Sequence, residues 1–111
     1  MQELTRQIKK FAAERDWEQF HAPKNLAMAL SVEVAELVEI FQWLTEKESY
    51  LLDRKSREHL QEEIGDVMIY LSALAAKFDI DPLEAARKKI ALNRQKYPVE
   101  RAKGSRRKYN R

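Results

Sequence analysis

The sequence predicts an all-α domain: a four-helix bundle whose core is completed by oligomerisation. Only two glycines and three prolines punctuate 111 residues. No stretch alternates polar and apolar residues as a half-buried strand would. Apolar residues instead recur at helical spacing between recognisable start and stop signals.

The first helix is expected from about Glu3 to Arg15, with Leu4, Ile8 and Phe11 as its buried stripe. Asp16–Lys24 mixes aromatic and polar residues and leaves the helical pattern at His21-Ala22-Pro23. Asn25 can cap a second helix, Leu26 to Leu44. Thr45–Lys55 is polar and reads as a loop or a frayed turn. Ser56 is the expected cap of a third helix reaching Phe78. In Asp81-Pro82-Leu83-Glu84, Asp81 caps, Pro82 takes the first helical position and Glu84 closes a capping box. The fourth helix then runs to about Tyr97 and is stopped by Pro98. Four helices with short connections make a bundle.

The chain is too short for two hydrophobic cores, so residues 1–98 form one domain. The basic pI belongs to the C-terminus. Six of the last eleven residues are Lys or Arg, and without them the chain carries 15 basic against 18 acidic residues. Residues 99–111 therefore read as a basic, partly flexible tail, solvated or in contact with phosphate. Zero cysteines exclude disulfides and thiolate metal sites. No apolar run approaches the ~20 residues of a membrane span, and the N-terminus lacks the apolar core of a signal peptide. The expected compartment is the cytoplasm, with no membrane partner.

Carboxylates interrupt the apolar stripes of two helices. Viewed down the second helix from the direction of Glu33, Leu26 and Leu44 are rotated by about 20°, Leu37 by about 40° and Leu30 by about 60°. Glu36 lies about 60° to the other side. Viewed down the third helix from the direction of Glu63, Leu74 is rotated by about 20° and Val67 by about 40°, with Asp66 about 60° to the other side. Each helix thus turns a carboxylate pair, three residues apart, toward the interior. Burying such groups uncompensated costs several kcal/mol each, and no Lys or Arg lies on either inner stripe. Surface ion pairs are the alternative if the faces are rotated. Otherwise the acids share a cation, and an all-oxygen donor set suits Mg²⁺, or Mn²⁺, over zinc. Redox di-iron is disfavoured, because Glu18-x-x-His21 is the one Glu-x-x-His spacing and lies outside the main helices.

The carboxylate motifs carry a family resemblance. Ser31-Val32-Glu33-Val34-Ala35-Glu36, Phe41-Gln42-Trp43 and Glu62-Glu63-Ile64-Gly65-Asp66-Val67-Met68-Ile69-Tyr70 resemble the Glu-x-x-Glu and Glu-x-x-Asp motifs of the MazG-like nucleotide pyrophosphohydrolases. Phe11–His21, Asn93-x-x-Lys96-Tyr97-Pro98 and Ser105–Tyr109 are similar to the dCTP pyrophosphatase branch. Two positions depart from the pattern. Val32 precedes Glu33 where many relatives have a second glutamate, and Ile8 stands where near relatives have a histidine that touches the nucleotide. The resemblance implies a MazG-type bundle assembled as a homodimer or homotetramer. It also implies Mg²⁺-dependent cleavage of a nucleoside triphosphate, dCTP or a modified dCTP, between the α- and β-phosphates. Glu33, Glu36, Glu63 and Asp66 would hold the metal and carry catalysis; Trp17 and Trp43 would line the base pocket, with His21 and Tyr70 nearby.

Spacing adds to this. Tyr70, four residues after Asp66, and Trp43, seven after Glu36, lie on the carboxylate flanks, where they can stack on a base or serve as ordinary core. On the fourth helix Asn93 interrupts the stripe Leu83, Ala86, Ile90, Tyr97 between Lys89 and Lys96. An inward amide with two ammonium groups can hold phosphate oxygens; a backbone-satisfied amide beside solvated lysines is the bland alternative. The second helix is also apolar on its back, at Met28, Val32, Ala35 and Val38, which calls for a partner chain. The rival function is a nucleic-acid-binding or regulatory module that uses the tail, indifferent to loss of the carboxylates.

Overall fold

The structure, a computed structural model, describes residues 1–97 and 99. Among these residues five α-helices are described in order: α1 (Gln2–Glu14), α2 (Pro23–Phe41), α3 (Glu46–Ser49), α4 (Arg54–Ala76) and α5 (Pro82–Lys96), with one 3₁₀ turn at Glu18–Phe20. No strand occurs among the described residues, so the all-α expectation is borne out. Pro98 and, apart from Val99, the expected basic tail lie outside the described residues.

The central unit is the pair α2 and α4, packed along much of their lengths. They are antiparallel, since Glu33 meets Glu63 while Leu26 shares a cleft with Tyr70. α1 lies against the C-terminal half of α4, and Thr5, Ile8 and Ala12 share a cleft with Ala73 and Ala76. Within one chain α5 makes few contacts with the other helices. Leu83 and Ile90 of its expected stripe are about half exposed. Only Ala12, Leu26, Glu63 and Ser72 are withdrawn from solvent among the described residues. No helix among them is long and apolar enough to cross a membrane.

Several helix ends differ from the sequence expectation, each for a local reason. α2 starts at Pro23, whose fixed φ suits the first helical position, with Ala22 as its cap residue. Asn25 does not cap; its side-chain amide donates to Phe20 O at 3.4 Å. α2 also stops at Phe41, and Gln42–Leu44 form a turn closed by Leu44 N–H to Phe41 O at 2.9 Å. Asp53, not Ser56, caps α4: its Oδ1 accepts from Ser56 N at 2.7 Å. α4 ends at Ala76, short of Phe78. Asp81 caps α5 through Leu83 N at 2.9 Å, but Glu84 pairs with Arg87 instead of closing a capping box. The expected loop contains α3, because Thr45 and Glu48 form a reciprocal capping box, with Thr45 N to Glu48 Oε1 at 2.9 Å and Glu48 N to Thr45 Oγ1 at 3.1 Å.

Candidate active site: a carboxylate cluster beside an aromatic cleft

The packing of α2 on α4 brings the inward carboxylates together. Glu33 and Glu36, one turn apart on α2, meet Glu63 of α4, and one carboxylate oxygen from each lies within 4.8 Å of the others. Glu63 is only 6% exposed. Asp66, half-buried on the next turn of α4, stands outside that tightest group, yet its charge acts on Glu33. The Glu33 carboxyl is pushed from 4.5 up to about 7. The largest cause is a hydrogen bond to the facing Glu63, which two carboxyl groups can share only if one keeps its proton. Burial follows, then the negative charges of Glu36, Asp66 and Glu63.

Two buried oxygens, Glu33 Oε2 and Glu63 Oε2, have no hydrogen-bond partner. No Lys or Arg pairs with any of these four acids among the described residues. Such orphaned anionic acceptors are costly unless a proton or a cation satisfies them. Three converging carboxylates, two of them with an unsatisfied buried oxygen, fit a hard divalent cation, which takes oxygen ligands. Neither Glu33 nor Glu63 therefore forms the surface ion pair with Lys or Arg that rotated faces would give.

One helical turn away lies an aromatic cleft of about 240 Å³, lined by Trp17, Phe20, His21, Asn25, Leu26, Ala29 and Tyr70. Ala29 precedes Glu33 by four residues and Tyr70 follows Asp66 by four, so cleft and cluster adjoin at about 6 Å of helix rise. The end of α1 sets Trp17 in place. Asp16 adopts φ 53°, and the chain closes with Asp16 N to Ala13 O at 3.2 Å and Trp17 N to Ala12 O at 2.9 Å. The indole then meets Phe11 edge-on at 5.6 Å between centroids, while the Arg15 guanidinium lies 3.7 Å from the centroid of the Phe11 ring. His21 also borders a second cleft of about 300 Å³ between α1 and α4, lined as well by Ile8, Ala73 and Ala76.

Three of the expected binding residues, Trp17, His21 and Tyr70, therefore share one cleft. Trp43 does not join them: it sits in the turn after α2 and is 87% exposed. Asn93 is half-buried and Lys96 exposed on α5, and neither lines the aromatic cleft. Phe20, Asn25 and Ala29 are cleft residues that periodicity could not find, since the cleft forms only where the 3₁₀ turn folds over α2. His59 was also missed. Its Nε2 lies 3.4 Å from Glu63 Oε1, and the available signal was its position one turn before Glu63.

Two inward acid pairs on antiparallel helices form the signature that comparison with known proteins then meets. The sequence profile of the MazG-like family matches residues 28–111. The chain belongs to the MazG-like family. It is 49% identical, over 98% of its length, to dCTP pyrophosphatase 1 of Mus musculus and equally to that of Homo sapiens. It spans 65% of the length of those curated relatives. A crystal structure of a pyrophosphatase from Archaeoglobus fulgidus superposes with a TM-score of 0.82 at 42% identity, covering 88% of this chain and 92% of that one. The MazG-like assignment and the likeness to the dCTP pyrophosphatase branch made on sequence motifs are thus both borne out.

Proposed function

We propose that this MazG-like chain is a Mg²⁺-dependent pyrophosphohydrolase that splits a nucleoside triphosphate, dCTP or a modified dCTP, into the monophosphate and pyrophosphate. The observation that carries the reading is the buried Glu63 with an unpartnered oxygen, facing Glu33 and Glu36, next to an aromatic cleft of nucleobase size. The similarity to dCTP pyrophosphatase 1 supports cytosine as the base and pyrophosphate as a product.

Glu33, Glu36, Glu63 and Asp66 are the residues that would hold the ion. When bound, Mg²⁺ offsets the charge of the triphosphate and polarises the α-phosphoryl group. The protein's own groups do the rest. Trp17 and Tyr70 present ring faces and edges to the base, and such stacking is worth about 1–3 kcal/mol per base. His21, between the two clefts, orients the nucleoside. With the base so held, the α-phosphate comes to rest one or two turns along α2, at the carboxylates. A water then adds to the α-phosphorus and gives a proton to a carboxylate oxygen of the cluster, as the bond to the α–β bridging oxygen breaks and pyrophosphate leaves.

Trp43, Asn93 and Lys96 contribute through assembly. The proposed homodimer or homotetramer covers the exposed Met28, Val32 and Val38 of α2 and brings these residues to a neighbouring protomer's site. Purified protein incubated with Mg²⁺ and a panel of canonical and modified dNTPs tests the activity. Equimolar monophosphate and pyrophosphate are expected. Release of orthophosphate would move the cleaved bond, and no turnover of any nucleotide would refute the activity.

A further inference from the structure

Along α4, four side chains fall on one line. Relative to Glu63, and all to the same side of it, Tyr70 is rotated by about 20°, His59 by about 40° and Asp66 by about 60°. The order along the helix is aromatic cleft at Tyr70, then the acids Asp66 and Glu63, then His59 at the rim. The His59 side chain is 54% exposed, and its Nε2 is 3.4 Å from Glu63 Oε1. The two oxygens of Glu63 are therefore unequal. Oε1 meets an imidazole at the solvent edge, whereas Oε2 is buried without a partner.

We propose that His59 is a positioning residue for Glu63. Its imidazole, 3.4 Å from Oε1, restricts the carboxylate's rotation and leaves the buried Oε2 to the divalent cation. A glutamate side chain has several rotatable bonds, and a ligand that must be ordered on binding loses affinity to that cost. The hydrogen bond of Glu33 is to Glu63 itself, so His59 is the contact that reaches the most buried acid from outside the cluster. The inference rests on the carboxylates being the cation site, and its test separates the two claims.

Mn²⁺ alone, titrated into the full-length metal-free protein and followed by calorimetry or by loss of the free-ion EPR signal, reports the site without substrate. His59→Ala is expected to weaken Mn²⁺ binding about tenfold or more, with the melting temperature of the metal-free protein little changed because the ring is half exposed. His59→Gln is expected to recover most of the affinity, since an amide N–H can reach the same oxygen from the preceding turn. In turnover assays the cation concentration for half-maximal rate should rise in His59→Ala, while the rate at saturating cation returns toward that of the unaltered protein. Unchanged Mn²⁺ affinity in His59→Ala would overturn the proposal. So would a His59→Gln variant as weak as His59→Ala, which would make the imidazole itself a ligand. Glu63→Gln serves as the separate control. If it binds Mn²⁺ like the unaltered protein, the cation-site reading fails whatever His59 does; if it loses binding while His59→Ala does not, only the positioning role fails.

Discussion

Glu33 and Glu63 meet at the point where the two longest helices cross, and their chemistry sets two expectations. Glu63→Gln keeps shape and volume but removes the anionic oxygen that lacks a partner. Turnover is expected to fall at least about 100-fold, while far-UV circular dichroism stays unchanged and the metal-free melting temperature holds or rises. The second expectation concerns pH. Because the Glu33 carboxyl is raised from 4.5 to about 7, the folded metal-free protein binds a proton that the unfolded chain would release. This contribution is fully present below pH 4.5 and lost as pH rises through about 7. Metal-free protein should therefore melt at a lower temperature at pH 8 than at pH 5.5, as far as Glu33 is concerned. Glu33→Gln should flatten that slope, and added Mg²⁺ should restore stability at pH 8. Melting curves for both proteins across this range, with and without the cation, are the check. The acids themselves were legible in the sequence because a glutamate on a leucine stripe breaks a pattern with a known angle. Their raised proton affinity was not, since it depends on how closely two helices bring them.

Helix ends show what local chemistry fixes and what it leaves open. Asp81-Pro82 was readable because cap and proline act within one turn. Thr45 and Glu48 carried the same kind of signal, masked by the polar composition of their neighbours. Thr45→Ala removes one half of this capping box and should cost about 1 kcal/mol, visible as a lower urea midpoint. α1 and the turn after α4 close on aspartates with φ 53° and 54°, where glycine would be free of the Cβ clash. Ile80 N to Ala75 O at 3.0 Å completes the second closure, as Trp17 N to Ala12 O does the first. In the body of α4, Gly65 faces open space, with nothing within 4 Å of an added Cβ. Gly65→Ala should raise stability by about 1 kcal/mol, read from chemical denaturation.

At the scale of the molecule, the chain is longer and thinner than a domain of its size should be. Its radius of gyration is 17.5 Å, where a compact chain of this length has about 13 Å. Met28, Val32 and Val38 on α2 and Ile90 and Leu92 on α5 remain about half exposed or more. Such faces are stable when another surface covers them. Light scattering should therefore give a mass of two or four chains, and Val32→Glu should shift it toward one and lower the melting temperature. If α5 of one protomer completes its partner's pocket, Glu63→Gln and Asn93→Ala variants, each impaired alone, should regain activity when unfolded and refolded together. Separately refolded chains, mixed without exchange, give the baseline.

The sequence alone determined that this protein is helical, that two helices turn acids inward, and that the acids invite a hard cation. Each of these comes from rotation about a single helix axis, which needs no knowledge of any other element. The tertiary structure decided which oxygens are left unpaired, that His59 touches Glu63, and that Trp17, His21 and Tyr70 share a cleft from which Trp43 is absent. These depend on distances between segments far apart in the chain, set by the packing of α2 and α1 on α4, and no periodicity within one helix encodes them.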